Sequence, residues 1–156
     1  MKFNEYELVV TQNKLNIKVI KAFNEEINSI QNALLFILDL YNISNLAIEK
    51  SFVLSYDANG KINGFMQIGI GDSKGVQFPL STSFKFLLLK NAFGCIFIHN
   101  HIKGCKLEPS ADDYHFHQLA NLICDTLNIT MYGNYILQDW QYYYDIKTDT
   151  KEEFVL

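Results

Sequence analysis

Residues 94–99, GCIFIH, make a short strand-like run that is apolar up to its terminal histidine. Successive side chains of a strand point to opposite faces. A strand that is apolar on both faces needs cover on both, which places it in the middle of a sheet with other elements packed against it. The flanking segments can supply that cover. Leu80 to Ala92 reads as a helix opened by Ser81 or Ser83. Ser110 to Leu127 reads as a second, with Phe116, Leu119, Ala120, Ile123, Cys124 and Leu127 on one stripe. Earlier in the chain, Ile27, Ile30, Leu34, Ile37, Leu38 and Tyr41 fall at helical spacing. They predict a helix from Asn24 to about Tyr41, with Asn24 as its cap.

The remaining segments read as strands. In SFVLSYDANGKINGFMQIGIG, two β-rich runs flank Asp-Ala-Asn-Gly, which is hairpin chemistry. Residues 5–11 and 17–21 alternate as short strands or an extended arm. ITMYGNYIL and WQYYYDIK predict one or two closing strands, with Tyr142, Tyr143 and Tyr144 on an edge. This mixed order predicts an α/β fold, a central sheet with helices packed on it.

Composition narrows the function. A chain of 156 residues with 49% hydrophobic residues can bury the core of one domain. Thirteen basic against 17 acidic side chains, a net charge of −4, argue against a strong nonspecific grip on DNA or RNA. The three cysteines, Cys95, Cys105 and Cys124, form no disulfide framework. Cys95 and Cys124 sit in apolar runs and are expected in the core, and nothing near Cys105 completes a cysteine metal site. The N-terminus, MKFNEYELVV, lacks a signal-peptide core, and the longest apolar run, ALLFILDLY, is broken by Asp39. The expectation is a cytoplasmic protein without a membrane anchor.

The central strand ends in His99-Asn100-His101. Residues i and i+2 of a strand share a face, so two imidazoles stand side by side if the extended geometry persists. Imidazole is a common zinc ligand, and two ligands on one rigid element suit a metal site. A third ligand has to come from elsewhere. Asp113, in the first turn of the next helix, is spaced to face the sheet with Phe116 and Ala120. Asp112 fits the same face through Phe116 and Leu119. Two histidines, a carboxylate and a water make an open tetrahedral zinc site. Ser110 also reads as a helix cap, with acids behind it that complement the dipole. His115 and His117 lie on the edges of the helix stripe and read as surface or packing residues.

Taken together, Glu49, His99-Asn100-His101 and Ser110-Ala111-Asp112-Asp113 resemble the JAMM signature of the JAB/MPN metallopeptidase superfamily. That signature is a glutamate on an early strand, then His-x-His, a spacer, and Ser-x-x-Asp. The RadC branch is the most similar. Its His-Asn-His, a following glycine (Gly104) and Pro109-Ser110 are retained, and EKSFVLSYDANGKI and LSTSFKFLLLKNAFGCIFIHNH resemble its preceding segments. The likeness runs from about Glu49 to Ile146 and more loosely into the first third.

The resemblance implies a cytidine-deaminase-like α/β fold with a mixed, mostly antiparallel sheet. It implies a RadC-like domain over residues 46–150, with residues 1–45 as a strand and helix extension packed on it in one globular unit. His99, His101 and Asp113 would hold Zn2+, and Glu49 would be general base and then acid. Ser110 would stabilise the oxyanion. The implied activity is hydrolysis of a peptide or isopeptide bond in a protein or peptide substrate. Two other functions go with the branch: a metal-binding module with little catalysis that recognises a protein partner, and a DNA-repair factor. The sequence also departs from the pattern. Ile102-Lys103 replaces Pro-Ser after the histidines, the spacer before Ser110 is one residue longer, and Gly133-Asn134 stands where an Asp-His pair is expected.

Overall fold

The computed structural model describes residues 2–71 and 79–156. Among them, eight strands form one sheet: β1 (Phe3–Thr11), β2 (Lys14–Phe23), β3 (Lys50–Tyr56), β4 (Ile62–Ile70), β5 (Gly94–Asn100), β6 (Thr130–Leu137), β7 (Tyr142–Asp145) and β8 (Thr150–Glu153). Three α-helices accompany them: α1 (Ile30–Leu40), α2 (Leu80–Leu89) and α3 (Ala111–Leu127). The strand order is β2-β1-β4-β3-β5-β6-β7-β8. Only the β1–β4 and β5–β6 neighbours are parallel. This is the α/β architecture of helices on both faces of a mixed sheet.

β5 lies in the middle of the sheet, and all seven of its residues are buried. Its alternation divides the core. Ile96 and Ile98 pack with Phe52, Leu54 and the α1 residues Ala33, Leu34 and Ile37. Cys95 and Phe97 face the other way, against Phe84 and Leu87 of α2 and Phe116, Ala120 and Cys124 of α3. Phe97 meets Phe116 edge-on at 5.2 Å. Burying each such aromatic contributes about 1.5–3 kcal/mol. The two apolar faces read from the sequence thus have two separate covers.

Helix boundaries differ from the sequence reading where hydrogen bonds outweigh periodicity. α1 starts at Ile30, not near Asn24, because Ser29 is the residue whose hydroxyl accepts the Asn32 N–H, at 3.1 Å. Ile27 still packs on the core, but from the extended segment before the cap. α2 ends at Leu89, because Asn91 takes φ +52 and the Ala92 N–H turns back to the Leu87 carbonyl. It is capped by neither Ser81 nor Ser83: Pro79 occupies the cap position, and the buried Ser83 hydroxyl donates back to the Pro79 carbonyl. α3 begins after Ser110, as its sequence predicts.

The Asp57–Gly60 turn joins β3 and β4, with Asp57 accepting from the Asn59 and Lys61 N–H groups. β1 and β2 are full strands, joined through Gln12 and Asn13, both at positive φ, the backbone a tight two-residue hairpin needs. β1 pairs with β4 at Glu5–Phe65 and Tyr6–Met66, so this hairpin extends the same sheet. The C-terminal segment contributes three strands rather than one or two. Among the described residues, no helix is long and apolar enough to cross a membrane.

Candidate metal centre

The histidines sit where β5 leaves the sheet. β5 pairs with β3 on one side and β6 on the other, placing His99 opposite Ser51 and Ile136. The His101 N–H still donates to the Leu137 carbonyl at 2.9 Å, so the chain stays extended through His101. Both imidazoles therefore point to the face of Cys95 and Phe97, the face α3 covers. Their Nε2 atoms are 3.2 Å apart. His99 is 1% exposed.

Asp113 meets them from the first turn of α3. Its Oδ1 lies 3.2 Å from His99 Nε2 and its Oδ2 lies 3.3 Å from His101 Nε2. A capping box sets this carboxylate: the Ser110 hydroxyl accepts the Asp113 N–H at 3.1 Å, and Asp113 Oδ2 accepts the Ser110 N–H at 2.8 Å. Helix geometry thus chooses between the two aspartates. Asp113 is 7% exposed and turned inward, whereas Asp112 is exposed.

Protons in the cluster follow from its contacts. A carbonyl oxygen only accepts, so the 2.8 Å contact between His101 Nδ1 and the Lys106 carbonyl puts a proton on Nδ1. In the neutral ring the Nε2 lone pair then faces His99 and Asp113, the orientation a metal ligand requires. Burial pulls the His101 pKa down, but Asp113, the Lys106 carbonyl and the charge of Glu49 outweigh it and leave the pKa raised. Burial likewise opposes ionisation of Asp113, yet the two histidines and the Ser110 N–H hold its carboxyl well below the usual range. The cluster is an ionised carboxylate with two imidazoles converging on one point. Two neutral nitrogens and an anionic oxygen suit a divalent cation, and the group can hold a metal ion.

Glu49 precedes β3. The ladder with β5 ends at the Ser51–His99 pair, two residues short of Glu49, and the charge of Glu49 is felt at the His101 ring. Its backbone carbonyl accepts the Gly71 N–H at 2.8 Å. Ser110 is exposed beside Asp113. The structure therefore gathers His99, His101 and Asp113 into one cluster, with Ser110 at the cap of α3 and Glu49 just ahead of β3.

Sequence patterns did not mark two further residues. Asn100 is fully buried and points away from the histidines; its Oδ1 accepts the Lys50 N–H at 2.7 Å and its Nδ2 donates to the Ile48 carbonyl at 3.0 Å. An amide at the end of a fully apolar strand was the available signal, because a buried amide needs partners. Gln138 Nε2 donates to the carbonyls of Ile102 and Cys105, at 3.0 and 2.7 Å, and pins the loop that follows the histidines. Cys105 is exposed and outside the ligand group, and Cys95 and Cys124 are buried in the core with their sulfurs 3.8 Å apart. His115 is exposed. His117 is half-buried, its Nδ1 3.5 Å from the amide of buried Asn134.

The sequence pattern of the RadC-like JAB domain family matches residues 27–150. The chain belongs to this family. No curated protein sequence matches it at a significant level. The matched span of this RadC-like JAB domain starts in the segment before α1 and closes at the first residue of β8, so it contains the whole histidine–aspartate cluster. Asn134 places a buried neutral amide on β6, the strand beside β5.

Proposed function

We propose that this RadC-like JAB domain is a zinc-dependent hydrolase of the JAMM type that cleaves peptide or isopeptide bonds. One observation carries the reading: the His99 and His101 Nε2 atoms stand 3.2 Å apart, and the Asp113 carboxylate meets each of them with one of its two oxygens, at 3.2 and 3.3 Å. Tetrahedral zinc with bonds of roughly 2.0–2.1 Å needs donor–donor edges of about 3.3 Å. Three protein donors leave a fourth position open, as catalytic zinc sites do.

When bound, zinc supplies a Lewis acid that acidifies a water and polarises a carbonyl. The chain's own residues do the rest. The Glu49 carboxylate accepts the proton of the attacking water and returns it to the leaving amine. The Ser110 oxygen is engaged as acceptor for the Asp113 N–H, which leaves its O–H proton to donate to the developing oxyanion. Asp113 is held ionised, and the Lys106 carbonyl keeps the His101 proton on Nδ1.

The test is zinc per chain by elemental analysis, with cleavage of a proteome-derived peptide library followed by mass spectrometry. About one zinc is expected in the wild type and in Glu49→Gln, none in His99→Ala, and new peptide termini with the wild type alone. Full turnover by Glu49→Gln would sink the mechanism. Zinc binding without cleavage by the wild type would favour the other reading, a metal-bearing module that recognises a protein partner; Asn134 and the Ile102-Lys103 loop motivate it.

A further inference from the structure

We infer that Asn100 is the positioning residue for Glu49, acting through the backbone on either side of it; the inference rests on the hydrolase reading, in which Glu49 moves the proton. The regular β3–β5 ladder runs to the Ser51–His99 pair, and Glu49 lies outside it. At that point the Asn100 side chain takes over the work of a strand's peptide group. Its carbonyl oxygen accepts the Lys50 N–H at 2.7 Å and its amide donates to the Ile48 carbonyl at 3.0 Å. The carbonyl of Glu49 itself is held by the Gly71 N–H at 2.8 Å. Backbone groups of three consecutive residues are therefore fixed, and the direction of the Glu49 Cα–Cβ bond is fixed with them.

Asparagine suits this task. Its amide carries an NH2 donor and a carbonyl acceptor on a single planar group, matching one C=O and one N–H spaced across a residue. Leucine has a similar volume but would leave both backbone groups unpaired in a fully buried place. Aspartate would keep the bond from Lys50 and lose the donation to Ile48. Glutamine would add a methylene where the packing leaves no exposure. The alternation of β5 also separates the tasks. His99 and His101 turn to one face and hold the metal, while Asn100 turns to the other and holds the segment that carries the acid–base group. Asn100 can thus fail without removing a ligand.

The test uses the full chain as wild type, Asn100→Ala, Asn100→Asp, Glu49→Gln and the Asn100→Ala/Glu49→Gln double variant. Three quantities are read: amide hydrogen exchange at Lys50, zinc per chain, and the visible spectrum of the cobalt(II)-loaded protein. In Asn100→Ala, exchange at Lys50 should quicken by about tenfold or more, the loss of a buried hydrogen bond. Zinc per chain should stay as in the wild type. The cobalt spectrum should shift as it does in Glu49→Gln, and the double variant should shift no further, since both changes act on one group. Asn100→Asp should recover part of the Lys50 protection, and it carries the test if the alanine variant does not fold. Unchanged Lys50 exchange, or a cobalt spectrum that Asn100→Ala leaves untouched while Glu49→Gln alters it, overturns the inference. If the wild type binds neither zinc nor cobalt, the hydrolase reading fails on its own, and exchange at Lys50 still decides whether Asn100 holds the segment around Glu49.

Discussion

Zinc should stabilise the metal-free protein, and the dependence on pH should show which groups receive it. The perturbation is titration of Zn2+ into chelator-stripped protein, wild type beside His99→Ala. The two Nε2 atoms and the Asp113 carboxylate already converge, with contacts of 3.2–3.3 Å from each ring to one carboxylate oxygen, so little binding energy is spent on ordering them. At free zinc one hundredfold above Kd, mass action gives about 2.7 kcal/mol. For a chain of this size each kcal/mol moves Tm by about 2–4 °C, so the shift should be about 5–10 °C. His99→Ala leaves two donors and should lose most of it. The pH dependence has a definite sign. The His101 pKa is raised in the folded, metal-free protein. Its protonation therefore stabilises that state fully below the ordinary histidine pKa of about 6.5, and this is lost as pH rises through the raised value. Zinc needs the deprotonated ring, so the zinc-induced shift should grow over the same window. Differential scanning fluorimetry at a series of pH values measures both effects. A zinc shift equal in His99→Ala and wild type, or one that shrinks as pH rises through that window, would refute the assignment of the site.

Two further predictions follow from the aspartate and its cap. Asp113 has a depressed pKa, so its contribution to the metal-free protein is fully present above the ordinary carboxylate pKa of about 3.9 and is lost as pH falls towards the lower folded value; Asp113→Asn should flatten the acid limb of stability measured by urea unfolding. Ser110→Ala removes the acceptor for the Asp113 N–H and should cost about 1 kcal/mol in the same assay on metal-free protein; no change would mean that the cap is replaced by water.

Much of this arrangement was legible because its signals are local and periodic. An apolar run without alternation placed β5 at the centre of the sheet, and the stripe on α3 together with Ser110 fixed that helix to its first residue. His-x-His on a strand is a statement about faces, and it held because the β6 pairing continues through His101. Periodicity alone did not separate Asp112 from Asp113; a capping box does, and its second half depends on the aspartate three residues after the cap. Glu49 carries no periodic signal and stood out only through the family resemblance. What escaped was long-range. Asn100 reaches residues about fifty positions earlier in the chain, and Gln138 reaches back to a loop more than thirty positions away. A single polar residue says that partners exist, but the register of two strands is needed to say which.

The departures from the RadC pattern fall in a consistent place. Ile102-Lys103 and the added spacer residue lie in the loop between the two ligand-bearing elements, yet the ends of that loop are held. Gln138 fixes its start through the Ile102 and Cys105 carbonyls, and the Lys106 carbonyl fixes the His101 ring. Ser110 fixes its end through the capping box. A residue can be added between such anchors at little cost, since loop-closure entropy grows only slowly with length. Asn134 lies on β6 beside His117, one helical turn beyond Asp113, and is absent from the ligand group. The donor group therefore depends on β5, on the α3 cap and on the Lys106 carbonyl, and none of the altered positions supplies a donor to it. Changes that spare the donors while altering the loop beside them bear on what meets the site before they bear on whether a metal can be held.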